Sequence, residues 1–182
     1  MKITPRLPLA DLGALVCDTC LKNGIDIVLS GGACVSIYTK NRYRSFDLDF
    51  VLRSPVPRKK IKGTMEGLGF LPDGRHFRHP ANPYIVDFLL PPLSVGEEPV
   101  REISEIRSGE MTLRLLSPTD CVKDRLAAYY HWNDRSSLEQ AVLVCRDQDV
   151  DMREVRRWSL NEDKRPEFEV FKVLAAKGND RA

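Results

Sequence analysis

The sequence predicts an α+β (α/β) fold, with a small sheet and flanking helices over residues 1–116 and a helical region over 117–182. Three observations carry that reading. Strand-length apolar runs stand at residues 25–29 and 84–90, with an alternating one at 46–51. The first of these ends in Ser30-Gly31-Gly32, a turn that opens a helix. From Ser117 onward the apolar residues recur at helical rather than strand spacing.

Taken in order, Leu9, Leu12, Leu15 and Val16 share one helical face, so a first helix is expected over 9–22, ended by Asn23-Gly24. Residues 25–29 are apolar apart from Asp26 and rich in β-branched side chains, as an interior strand would be. After the glycines a helix runs from Ala33 to about Lys40, and the strand carrying Asp47 follows. Pro55 and Pro57 end that strand, and 58–68 reads as a basic amphipathic helix. Asp73-Gly74 is a turn pair between two short strands, and 84–90 is a further strand that places Asp87 among apolar neighbours. Residues 91–109 have little periodicity and are expected to form a long surface loop with one short strand at most, before a last strand at 111–116. Ser117-Pro118-Thr119-Asp120 has the composition of a helix start, a cap followed by proline and an acid. Helices are then expected over 121–130, 136–145, 152–160 and 164–175, with Asp134 capping the second.

The stretch from Ile25 to Leu52 carries the chemistry. Strand side chains alternate between faces, so Phe46, Leu48 and Phe50 point one way while Asp47, Asp49 and Val51 point the other. Two carboxylates two residues apart repel unless a cation stands between them, and oxygen donors suit a hard ion such as Mg²⁺ or Mn²⁺. Gly31 and Gly32 stand where a helix begins, with free N–H groups and the positive end of its dipole aimed at an anion such as phosphate. An isolated Asp87 within an apolar strand needs a cation or a donor of its own.

These residues resemble the polymerase-beta-like nucleotidyltransferase superfamily, whose signature is an apolar strand, Gly followed by Gly or Ser, a short helix, then Asp-x-Asp. The variant most similar is the branch of abortive-infection (AbiEii-like) toxin nucleotidyltransferases, matched at Gly31, Gly32, Ala33, Tyr38, Arg44, Ser45, Asp47 and Asp49. Ser45 stands where Thr is usual, and Gly32 where many members have a Ser that touches triphosphate. The resemblance implies a mixed sheet over 1–116 as the catalytic domain, with Asp47, Asp49 and Asp87 as metal ligands and catalytic acids. It implies nucleotide binding by Ser30, Gly31, Gly32, Arg42, Arg44 and Ser45. Further on, Lys123, Arg125 and the pair Asp134-Arg135 resemble the branch more loosely, with Arg125 at a Lys position and the pair in reversed order.

The function implied is metal-dependent transfer of a nucleoside monophosphate from an NTP to an acceptor hydroxyl, in a toxin whose partner would be an antitoxin protein. Composition adds little, since 42% hydrophobic and 30% charged residues with a net charge of +2 are ordinary for a soluble globule. Charge distribution adds more. Lys40, Arg42, Arg44, Arg53, Arg58, Lys59, Lys60 and Lys62 flank the carboxylates in sequence, so a basic rim that attracts RNA is expected. The competing reading is a non-catalytic module of the same fold that binds nucleotide or protein. A nuclease is disfavoured because none of His76, His79 and His131 falls in the acidic motif. The five cysteines lack metal-binding spacing and read as reduced structural thiols. No stretch reaches the ~20 apolar residues of a membrane span, and a cytoplasmic protein is expected.

Overall fold

The computed structural model describes residues 1–176, so the last six residues of the expected 117–182 region lie outside the described part. Helix α1 (Leu9–Lys22) buries Leu12, Ala14, Val16, Cys17 and Cys20 completely. It leads to β1 (Ile27–Ser30), α2 (Gly31–Tyr38), β2 (Asp47–Leu52) and α3 (Arg58–Gly67). The hairpin β3 (Leu71–Asp73) and β4 (His76–Arg78) follows, then β5 (Ile85–Leu89), the small hairpin β6 (Ser94–Val95) and β7 (Glu98–Pro99), β8 (Ile103–Ser108) and β9 (Met111–Leu116). Helices α4 (Pro118–Trp132), α5 (Arg135–Asp147), α6 (Met152–Asn161) and α7 (Arg165–Ala176) complete the described chain. No helix among the described residues is long and apolar enough to cross a membrane.

Seven strands form one mixed sheet in the order β3-β4-β5-β2-β1-β9-β8. β2 runs antiparallel to β1 and parallel to β5, which is the pairing that matters for the site. One face of β2 and β5 carries Leu48, Phe50, Val86 and Phe88, with Phe50 stacked on Phe88 and Phe77 of β4 edge-on to Phe88. By alternation the other face carries Asp47, Asp49 and Asp87.

Local chemistry explains the helix ends. The Ser117 hydroxyl accepts from the Asp120 N–H with Pro118 at the first turn, and Asp134 caps α5 by accepting from the N–H groups of Ser136 and Ser137. Two expectations are corrected. Helix α2 starts at Gly31 rather than Ala33, so both glycines lie in its first turn. Residues 91–109 hold the β6–β7 hairpin and the edge strand β8, which pairs along its whole length with β9. An edge strand solvated on one side needs only a few apolar residues, and Ile103 and Ile106 do not alternate, so the pattern was faint.

The five cysteines are free thiols, four of them buried. Burial pushes the Cys17 thiol up to about 11 and the Cys20 and Cys145 thiols up to about 12, which keeps them protonated and unreactive.

Candidate active site

The site is a polar row crossing four adjacent strands. Ser30 on β1 pairs with Asp49 on β2, Asp49 pairs with Asp87 on β5, and the β4–β5 register sets His76 beside Asp87. Residues paired across strands point to the same face, so the register alone places these four side chains together. Asp47 stands two residues before Asp49 on the same face, exposed at the start of the strand.

Asp49 lies against the first turn of α2. Gly31 has φ +69, and a Cβ there would come within 2.9 Å of the Asp49 Oδ2. Glycine is therefore required twice at this position, by a left-handed backbone and by a carboxylate pressed on the Cα. Gly32 meets a different neighbour, since a Cβ there would stand 3.3 Å from both the Tyr43 ring and the Ser45 Oγ. Tyr43 thus covers the surface at which a serine would otherwise reach outward.

The other sequence-predicted residues divide. The Ser30 hydroxyl is buried and donates to the Asp49 carbonyl at 3.2 Å. Ser45 works within the backbone, its hydroxyl donating to the Asp47 carbonyl at 3.1 Å and accepting from the Asp47 N–H at 3.2 Å, so it fixes the start of β2. Arg42 is paired with Asp147 of α5 and is not directed at the carboxylates. Arg44 is exposed and lines a small cavity with Phe46 and Tyr84.

Asp87 has 6% of its side chain exposed and is partnered within the chain. Its Oδ1 accepts from the Phe88 N–H at 2.9 Å, and its Oδ2 lies 3.3 Å from both Arg75 Nε and His76 Nδ1. No three His, Cys, Asp or Glu side chains among the described residues stand close enough to hold a metal ion. The donor set nonetheless fits a hard divalent cation in chemistry and in register. Asp49 shows why: burial raises its pKa above the ordinary carboxylate value, and the negative charges of Asp47 and Asp87 raise it further, with Arg125 of α4 pulling the other way. Negative charge is in excess at this point of the sheet, and a cation would relieve it.

Arg75, His76 and Arg125 were not picked out from the acidic motif. His76 lies outside the acidic motif in sequence yet stands beside Asp87 in the fold. Its signal was parity: in the strand following Asp73-Gly74, His76 alternates with the buried Phe77 and so faces away from the core. The basic rim is also corrected. Arg53 follows the end of β2 remote from Asp47, and its N–H donates to the Asp26 carbonyl. Arg58 lies over the Phe77 ring, on the face opposite His76, and Lys60 donates to the Gly24 carbonyl. The basic run therefore packs behind the sheet.

A second cavity of about 680 Å³ lies away from the carboxylates, between the β7–β8 connection and helices α4 and α6. Several of its charged side chains are paired with one another. Arg157 donates to Glu98 and Glu154, and buried Lys123 pairs with Asp120 at 2.7 Å and Glu154 at 3.2 Å. The Arg157 and Lys123 contacts hold the Glu154 carboxyl down to about 2.

Linkage gives a test of the charge excess at Asp49. A carboxyl whose folded-state pKa is raised favours the fold when protonated, so its contribution is present below the unfolded-state pKa and is lost as pH rises through the folded-state value. Metal-free wild type is therefore expected to lose stability relative to Asp49→Asn as pH rises through and just above the carboxylate range. Parallel thermal melts across that range check it, and a difference that does not change with pH would overturn it.

No protein-family model matches the chain, and no curated protein does. Among solved structures, a crystal structure of an antigenic nucleotidyltransferase-like protein from Paracoccidioides brasiliensis superposes with a TM-score of 0.59 at 14% identity, over 92% of this chain and 93% of that one. A solution structure of the antibiotic-resistance factor ANT(2'')-Ia is similar at TM-score 0.46 and 15% identity, over 95% of this chain and 90% of that one. A crystal structure of ANT(2'')-Ia in complex with adenylyl-2''-tobramycin gives 0.46 at 14% identity, over 95% and 97%. The first of these likenesses defines the class of fold: the chain has a nucleotidyltransferase-like α+β architecture.

Proposed function

We propose that the protein is a metal-dependent nucleotidyltransferase. The observation that carries this is the Asp49–Asp87 register, with Asp47 beside it and the Asp49 carboxylate seated on Gly31 at the start of α2. Asp47, Asp49 and Asp87 would hold Mg²⁺ or Mn²⁺, which when bound would neutralise phosphate charge and lower the pKa of an acceptor hydroxyl. The N–H groups of Gly31 and Gly32 open the helix and would bind phosphate oxygens. The acceptor oxygen attacks the α-phosphorus, the bond to the β-phosphate breaks, pyrophosphate leaves, and Asp87 takes the acceptor's proton. The reaction needs positioning and electrostatics, with no nucleophilic side chain.

The motif from Gly31 to Asp49 supports the finer placement among toxin-related nucleotidyltransferases, with an NTP as donor and an antitoxin protein as partner. Two observations favour a non-catalytic binding module instead: Asp87 is held by Arg75 and His76, and Tyr43 lies against Gly32. Incubation with each labelled NTP and total RNA, with Mg²⁺ or Mn²⁺, separates the two. Metal-dependent transfer of label to an acceptor is expected. No transfer from any NTP with either ion would overturn the enzyme reading.

A further inference from the structure

Phe46 is a large aromatic residue with 59% exposure, immediately before Asp47. A lone exposed phenylalanine is unremarkable on a protein surface. This one has company. Its ring centroid lies 6.2 Å from that of Tyr84, and the two line a cavity of about 160 Å³ with Arg44, Ser45 and Asn41. The Ile85 N–H donates to the Phe46 carbonyl at 2.9 Å, so the aromatics stand side by side where β2 and β5 begin. By alternation they share the Leu48 and Val86 face, just around the strand ends from Asp47. Tyr84 is three residues from Asp87, about 10 Å along an extended strand.

We infer that this shelf binds a nucleobase of a single-stranded RNA acceptor, one or two nucleotides back from the reacting hydroxyl. The inference rests on the nucleotidyltransferase reading above and names the acceptor class for that site. Each part of the shelf matches such a strand. Aromatic faces stack any base and so tolerate sequence. The Arg44 guanidinium supplies positive charge for the backbone and a planar cation for stacking. Asn41 offers an amide at the cavity wall that can pair with a base edge. The shelf supplies a cationic and aromatic contact at the end of β2 where Asp47 stands, whereas the basic run follows the other end of the strand.

The test is binding without catalysis. A short single-stranded RNA with 2-aminopurine near its 3′ end is titrated with the full chain, without NTP or divalent ion, and fluorescence is followed. Quenching is expected, with affinity falling roughly 5- to 100-fold in Phe46→Ala, the range of one lost base stack, and retained in Phe46→Trp. Arg44→Ala should weaken binding and flatten its salt dependence. Equal quenching by wild type and Phe46→Ala would overturn the inference. So would a Phe46-dependent signal from 2-aminopurine riboside triphosphate with none from RNA, which would give the shelf to the donor nucleotide. Circular dichroism of each variant confirms that it is folded. Since no turnover is measured, a failed shelf and a failed enzyme reading are distinguishable: the first leaves label transfer intact with no Phe46-dependent RNA binding, the second abolishes transfer whatever RNA does.

Discussion

Asp47→Asn is expected to lower metal-dependent nucleotide turnover by at least about 100-fold, the loss that removal of a mere supporting group around a metal can already reach. The same variant should melt at the same temperature as wild type or higher when no metal is present. Both halves follow from one geometry. Asp47 is exposed, and its hydrogen bonds among the described residues are made by its backbone, yet its charge is one of the causes that raise the Asp49 pKa. On the proposed function, removing it costs a metal ligand, and it relieves repulsion in any case. Adding Mg²⁺ should then stabilise wild type more than the variant, since a ligand that binds only the folded state raises its melting temperature. A marked loss of stability in metal-free Asp47→Asn would show that the carboxylate serves the fold instead.

Gly31→Ala is expected to harm both fold and chemistry. The backbone at φ +69 costs a non-glycine residue about 1–3 kcal/mol. The added methyl also meets the Asp49 Oδ2 at 2.9 Å, so the carboxylate or the first turn of α2 must give way. For a chain of this length each kcal/mol lowers the melting temperature by about 2–4 °C, so a fall of several degrees is expected. On the proposed function turnover should fall further than stability explains, because the displaced groups are the turn proposed to bind phosphate and a proposed metal ligand. Gly32→Ala, whose neighbours are a tyrosine ring and a hydroxyl at 3.3 Å, should be milder in both measurements. Equal effects at the two positions would sink the argument.

Much of this was readable from residue order. Alternation around Asp47 and Asp49 assigned their face correctly, and the glycine pair marked a helix start against which one of them lies. The resemblance implied that Asp87 stands beside them, while its apolar strand said only that it needs a partner. What escaped depends on contacts distant in sequence. His76 reaches Asp87 only through the β4–β5 register, which two three-residue strands barely announce. Arg125 acts on Asp49 across the packing of α4 against the sheet. The basic run misled because closeness in sequence to the carboxylates says nothing about which side of the sheet a following helix takes, and α3 takes the side of Phe77.

Helix α2 and the loop after it are fastened to both halves of the chain. The Tyr38 hydroxyl donates to the Leu116 carbonyl at 2.5 Å, the Gln148 amide donates to the Tyr38 carbonyl at 2.8 Å, and Arg42 grips Asp147. The last strand of the sheet ends at Leu116, and these links cross that point. Loosening α5 would pull on the segment that delivers Asp47, so anything that seizes the helical region from outside gains a lever on the carboxylates without having to enter their cleft.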